Sequence, residues 1–177
     1  MKRLVYSLFP LLMVALFVFG PAGCKRRKRK VAEEPTGLAT MVHAADAKAQ
    51  IQLVRGFHGV EENAWRWTAG SFAVTLRPPA GAAQKGATLQ FKFVAPDVII
   101  NKLRPVTLSA TVNGQKLAPE TYSKAGEYTY SRDVPASALA QDVVNVEFAL
   151  DKFLPASEAD TRDLGVIMTM VGFEAKP

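Results

Sequence analysis

Short apolar runs with a period of two fill residues 51–177 and constrain the fold more than any other feature. In "VTLSATV" (106–112), valine, leucine and alanine alternate with threonine and serine, and "TLQFKFV" (88–94) alternates apolar with polar side chains in the same way. Such alternation places the apolar side chains on one face of a β-strand. Further β-rich runs lie at 51–57, 72–76, 127–134, 143–150 and 165–173. We therefore expect an all-β domain.

Turn residues separate these runs and indicate how the strands are arranged. Asn113-Gly114 is the strongest hairpin signal, because both residues accept the positive φ of a type I′ turn. Strands with one apolar face each predict a two-sheet antiparallel β-sandwich. No long helical period follows residue 50, and "SALAQ" (137–141) is expected to form a short helical connector.

The first thirty residues have the layout of a secretory signal. A basic start, "MKR", is followed by residues 4–23, which carry no charge, and small residues precede Cys24. "AGC" at this position resembles a bacterial lipobox, in which the signal is cut before a cysteine that is then acylated. Pro21 departs from that pattern, which usually has an aliphatic residue there. The alternative is an uncleaved helix, since ~20 apolar residues span a bilayer.

Six consecutive cations follow the cysteine and bear on membrane contact and topology. Such a cluster attracts anionic lipid, and basic flanks of a transmembrane helix stay cytoplasmic. An uncleaved helix would thus leave the domain on the cytoplasmic face, whereas a lipoprotein carries it to the periplasmic or outer face of the envelope, which is the favoured interpretation. Both interpretations hold the protein at a membrane. The residues expected to contact anionic lipid are Lys25, Arg26, Arg27, Lys28, Arg29 and Lys30.

Charge and cysteine content exclude several classes of protein. The net charge is +6, but eight cations and no acidic residue lie within residues 1–30, so residues 31–177 carry −2. A folded basic face for nucleic acid is therefore not expected. The single cysteine excludes an intrachain disulfide and paired-cysteine zinc sites. We expect no metal or other cofactor, a signal or anchor at 1–23, a flexible tether at 24–50 and the β-sandwich at 51–177.

Three stretches carry a family resemblance: "GFHGVEENAWRWT" (56–68), "VTLSATVNGQKL" (106–117) and "VEFALDKFLPASEADTRDLGVIMTMVGFE" (146–174). Together they resemble the accessory β-sandwich modules attached to bacterial glycosyltransferases and other glycan-related proteins. Those modules are similar in turn to galactose-binding-like jelly rolls. The resemblance implies a jelly-roll-like sandwich with a glycan-related role, and we expect no catalytic domain attached to it in this chain.

The first candidate site contains the two tryptophans of the chain. Trp65 and Trp67 are two residues apart, so a strand would place both on one side, where aromatic rings could stack on a sugar. Glu61 and Arg66 would supply groups that hydrogen-bond sugar hydroxyls. The alternative, which we favour from the sequence, is that at least one tryptophan fills the core, with Arg66 on the opposite face.

The second candidate cluster is Asp160, Arg162 and Asp163, in the long loop "DKFLPASEADTRDLG". Arg162 could clamp this loop to the body through a bidentate carboxylate pair, with Glu61 as a partner. A ligand or calcium role is the weaker interpretation, because calcium needs several oxygen ligands. We therefore expect a structural clamp.

No motif for catalysis stands in the chain. The adjacent carboxylates Glu61 and Glu62 would point to opposite sides of a strand, which does not suit glycosidase chemistry. The sequence thus predicts a membrane-anchored, non-catalytic binding or scaffolding module of the bacterial cell envelope, with a glycan or an envelope protein as ligand. Two alternatives remain open: a structural or protein-interaction lipoprotein without sugar binding, and a single-pass inner-membrane protein with a cytoplasmic β-sandwich.

Overall fold

Ten strands and a few short helices make up the part of the chain that the computed structural model describes, residues 37–177. The strands are β1 (Met41–His43), β2 (Leu53–Glu61), β3 (Trp65–Leu76), β4 (Ala87–Ala95), β5 (Val106–Val112), β6 (Gln115–Lys116), β7 (Glu120–Tyr122), β8 (Gly126–Val134), β9 (Val144–Leu150) and β10 (Ile167–Ala175). The helices are α1 (Ala82–Lys85), α2 (Asp97–Leu103) and two 3-10 helices, Ala47–Ile51 and Ala136–Leu139. Each predicted apolar run coincides with a strand, which confirms the all-β prediction.

The strands form two layers that β3 connects. Layer A contains β5, β6, β7, β9 and the second half of β3, which pairs with β9 from Ser71 to Leu76. Layer B contains β1, β4, β8, β10 and the first half of β3, which pairs with β10 at Arg66 and Trp67. Strand β2 runs beside β3 along both halves. All these pairings are antiparallel, and the predicted two-sheet sandwich is confirmed.

Aromatic rings from both layers meet in the core. Phe72 and Phe148 of layer A stack with ring centroids 5.0 Å apart. Phe91 of layer B lies 4.9 Å from Phe148 and 5.4 Å from Phe72. All three side chains are at most 1% exposed. Because the apolar faces of both layers supply this cluster, the alternation seen in the sequence accounts for the sandwich.

The predicted hairpin at Asn113-Gly114 is confirmed, and a second one of the same kind was not predicted. Asn113 and Gly114 have φ values of 45° and 85° and connect β5 to β6. Glu62 and Asn63, with φ values of 51° and 52°, connect β2 to β3, and the Ala64 N–H donates to the Glu61 carbonyl at 3.0 Å. This second turn sets the position of the strand that carries both tryptophans.

The folded domain begins before residue 51, within the segment that was predicted to be a flexible tether. Strand β1 pairs with β10, with Val42 opposite Val171. Val42 and Ala44 are 1% and 0% exposed. The tether prediction is therefore wrong for these residues, because pairing with a distant strand orders a segment that has little apolar content of its own.

A helix of seven residues, α2, also departs from the sequence expectation. Its sequence, "DVIINKL", is rich in β-branched residues, which favour strands. Pro96 precedes it and Asp97 lies in its first turn, both of which suit a helix start. At the other end, the Lys152 ammonium donates to the carbonyls of Leu103, Arg104 and Pro105 at 2.9–3.2 Å. A lysine from another part of the chain thus caps this helix.

Candidate functional site

The two tryptophans lie side by side on the outer face of the sandwich. Strand β3 places Trp65 opposite Glu61 of β2 and Trp67 opposite Ile167 of β10. The indole rings meet edge to face, with centroids 6.4 Å apart. Both side chains are half-buried, and Trp67 also packs against the edge of the core. The pair therefore presents aromatic surface to solvent while remaining fixed in position.

Arg66, between the two tryptophans, points into the protein instead. It is 6% exposed, and its Nε donates to the Ala44 carbonyl at 2.7 Å. Its Nη1 donates to the His58 carbonyl at 3.0 Å. The expectation that Arg66 lies on the face away from the core is therefore wrong, and its guanidinium donates to two carbonyls of the protein. The two-residue repeat of a strand correctly places Arg66 on the opposite side of β3 from the two tryptophans. It is the Arg66 side of the strand, however, that faces the interior.

Arg162 joins its own loop to the β2–β3 hairpin. Its Nε and Nη2 donate to the two carboxylate oxygens of Asp160 at 3.0 and 2.9 Å, a bidentate arrangement. Its Nη1 donates to Glu61 Oε1 at 2.7 Å. The structure thus brings Glu61, Asp160 and Arg162, all candidates from the sequence, together next to Trp65. These side chains are about one-third exposed, so their groups are accessible from solvent.

Asp163 does not join that ion pair and has two other contacts. Its carboxylate accepts the Ala156 N–H at 2.9 Å within the same loop. Its backbone carbonyl lies 2.7 Å from His58 Nε2. A carbonyl can only accept, so Nε2 of His58 carries the hydrogen. His58 thus ties β2 to the 151–164 loop.

The ion pair changes the acidity of Asp160. Hydrogen bonds from the Arg162 side chain and backbone lower the pKa of Asp160 from 3.8 to about 2. The same contacts raise the pKa of Arg162 above its usual range. Because the pKa of Asp160 is lower in the folded state, the ion pair stabilises the loop at pH values above the ordinary carboxyl pKa of 3.8. That contribution is lost as the pH falls through about 2.

A carbon-13 NMR titration tests this assignment. We expect Asp160 to titrate at about 2 in the wild type and near its ordinary value of 3.8 in Arg162→Ala. Glu61→Gln is the matched control, because it removes the other partner of Arg162 and leaves both bonds to Asp160, so the Asp160 pKa should stay low. An unchanged Asp160 pKa in Arg162→Ala would contradict the contact.

Several sequence predictions lie outside the described residues. They are the lipidation site Cys24 and the basic run from Lys25 to Lys30. Within residues 37–177, no helix is both long and apolar enough to cross a membrane.

Comparisons with known proteins give distant likenesses in structure. No family model and no curated protein match the chain. An acetyl xylan esterase (Est2A) from the rumen bacterium Butyrivibrio proteoclasticus is 11% identical with a TM-score of 0.44, over 80% of this chain and 34% of the esterase chain. The CBM36-1 domain of a multidomain xylanase from the hindgut metagenome of Trinervitermes trinervoides is 9% identical with a TM-score of 0.40, over 78% of this chain and 98% of that one.

A family 35 carbohydrate binding module from an environmental isolate is 12% identical with a TM-score of 0.36, over 81% of this chain and 91% of that one. The chain thus spans about a third of the esterase chain and nearly the full length of the two modules.

Proposed function

We propose that this domain is a non-catalytic glycan-binding module that its N-terminal segment holds at a membrane of the cell envelope. The observation that carries the proposal is the pair of half-buried tryptophans on the outer face of β3, with centroids 6.4 Å apart. The C–H face of a sugar ring packs on an indole ring, and nearby polar groups bind its hydroxyls. Glu61 and Arg162, beside Trp65, offer an acceptor and a donor for that purpose.

The geometry of the domain supports a tethered binding role. The described chain starts at Gly37, which lies against the Arg77 guanidinium, and the Arg77 N–H donates to the Ala39 carbonyl at 3.1 Å. Arg77 directly follows β3, whereas Trp65 begins it. Strand β3 has twelve residues, so these ends are about 36 Å apart. Gly37 therefore lies at the end of the domain away from the tryptophans.

A binding screen tests the glycan part of the proposal. The full chain, purified in a detergent without a sugar headgroup, would be run through gels containing xylan, galactomannan, β-glucan, polygalacturonate or alginate. We expect retardation by at least one polysaccharide and its loss in Trp65→Ala and Trp67→Ala, because each removes an aromatic surface on which a sugar ring would pack. The melting temperatures should fall only modestly, since both side chains are half-buried.

Two variants serve as controls for the screen. Trp65→Phe keeps an aromatic face and should retain most of the binding. Val143→Ala changes an exposed apolar residue, 47% accessible, elsewhere on the surface and should bind as the wild type does. Tryptophan variants that bind every polysaccharide as the wild type does would contradict the site. A wild type that binds none would instead favour the protein-interaction alternative.

The membrane part of the proposal is supported by the sequence alone and has its own test. Because Cys24 follows "AG" at the end of the apolar segment, we expect wild-type cells to incorporate labelled palmitate into this protein. Cys24→Ser should abolish the label and leave the precursor uncut on a denaturing gel. An unlabelled wild type that keeps its first 23 residues would support the uncleaved transmembrane helix instead.

A further inference from the structure

The outer face of layer B has a row of partly exposed side chains that extends from the tryptophans across four strands. Trp67 of β3 lies opposite Ile167 of β10, which lies opposite Val94 of β4, and Val94 lies opposite Glu127 of β8. The three apolar members of the row are half-buried and Glu127 is exposed. The apolar strip that begins at Trp67 therefore extends to β4, and the Glu127 carboxylate follows it on the edge strand β8.

An open groove of about 390 Å³ lies at the β8 end of this row. Its polar lining consists of Lys92, Glu127, Thr129 and Thr169, and Val94 connects it to the row. Among residues 37–177, neither Lys92 Nζ nor the Glu127 carboxylate forms an ion pair, so both charged groups are available to a ligand. The lining offers hydrogen-bond donors and acceptors together, with no net charge.

A bulge in β10 contributes directly to this groove. The pairing of β10 with β4 shifts between Met168 and Met170, and the extra residue, Thr169, is exposed. The Thr169 hydroxyl donates to the Lys92 carbonyl at 3.1 Å, which fixes its position at the groove. Bulges re-aim side chains and are common near binding sites. The bulge thus adds a hydroxyl group to the groove.

We propose that the row and the groove form one continuous track for a neutral oligosaccharide chain lying across the strands. This inference rests on the proposed glycan-binding function and specifies its ligand. Three strand spacings of ~4.8 Å separate β3 from β8, so the track is about 14 Å long. A monosaccharide cannot contact both the tryptophans and the groove, whereas a short chain can. One ammonium, one carboxylate and two hydroxyls suit the hydroxyls of uncharged sugars better than a polyanion.

Calorimetry with ladders of oligosaccharides tests the track. The full chain in sugar-free detergent would be titrated with xylose, mannose and glucose oligomers from monosaccharide to hexasaccharide. We expect affinity to rise with chain length until the track is filled. The double variant Lys92→Ala/Glu127→Ala should lose at least about tenfold in affinity for the longest bound oligomer, since it removes two charged hydrogen-bonding groups. Its affinity for the disaccharide should change much less.

Matched controls remove charges of the same kind from other surfaces. Lys116→Ala on β6 and Glu147→Ala on β9 both change exposed residues of layer A and should leave the binding of every oligomer unchanged. Trp67→Ala should weaken short and long oligomers alike, because it removes the stacking surface at the start of the track. The contrast between the two kinds of variant separates the groove from the tryptophan pair.

Each remaining outcome decides between the two proposals. The track would be overturned if affinity did not depend on chain length, or if the double variant bound the hexasaccharide like the wild type. In either case, binding that still depended on the tryptophans would uphold the proposed function. Tighter binding of polygalacturonate or alginate than of neutral chains would overturn the neutral ligand class. A wild type that binds no polysaccharide would overturn the proposed function and the track together.

Discussion

Gly56→Ala is expected to destabilise the domain by about 4 kcal/mol or more, which single substitutions rarely reach. Gly56 of β2 has a φ of 73°, where an alanine costs ~1–2 kcal/mol from backbone strain alone. An added Cβ would also meet the Ser71 carbonyl oxygen and lie 2.7 Å from Phe72 Cα. These are backbone atoms of β3, so relief requires the two strands to separate.

The same strand provides a matched control for this prediction. Gly59 also lies in β2, but an added Cβ would have no atom within 4 Å. Gly59→Ala should therefore change the free energy of unfolding by less than about 1 kcal/mol. Urea unfolding followed by tryptophan fluorescence measures both variants. The free energy of unfolding of a domain is only ~5–15 kcal/mol. The Gly56→Ala variant should therefore be largely unfolded or melt far below the wild type. Equal midpoints for the two variants would contradict the argument.

Strand positions could be predicted from the sequence because period two reports which side chains share a face. The alternation in Val106, Leu108, Ala110 and Val112 predicted β5, and all four side chains are buried. Asn113-Gly114 predicted the following turn because its backbone requirement is local. These signals depend on neighbouring residues alone, and they were sufficient for the sandwich class.

Elements that depend on distant partners could not be predicted in this way. Strand β1 has three residues and exists because β10, far along the chain, pairs with it. Helix α2 contains Val98, Ile99 and Ile100, whose local preference is for strands. Lys152, which is distant in the sequence, binds the carbonyl of the last residue of the helix and those of the two residues that follow. Local propensity was overridden by tertiary contacts in both cases.

The candidate site shows the same division. The spacing of Trp65 and Trp67 predicted a shared side of the strand, but the sequence does not tell which side faces inward. That choice depends on Arg66, whose guanidinium meets carbonyls from β2 and from the end of β1. Because β1 was not expected to be ordered, its carbonyl could not be foreseen as a partner. The groove near Thr169 also depends on a bulge that leaves no sequence signal.

The second large effect is expected from Arg66→Met, which tests the contact that orients β3 and its two tryptophans. Methionine keeps most of the apolar bulk of the side chain but cannot donate to the carbonyls of Ala44 and His58. Hydrogen bonds from charged groups contribute ~1.5–3 kcal/mol each to stability. Replacing the buried charge also removes the cost of its desolvation, which offsets part of the loss. We therefore expect a net destabilisation of about 2–4 kcal/mol, measured by urea unfolding.

The loss should also be local to β1, because the Ala44 carbonyl is the point at which Arg66 holds that segment. In Arg66→Met, hydrogen exchange should accelerate most at Val42 and Ala44, whose amides lie in or directly after β1. Arg55→Met is the matched control: Arg55 is about half exposed and pairs with Glu147 at 3.4 Å. Such a surface pair is worth ~0–1 kcal/mol. Wild-type stability and wild-type exchange at β1 in Arg66→Met would show that the buried guanidinium does not hold the two segments together, and the fixed outward orientation of Trp65 and Trp67 would then need another cause.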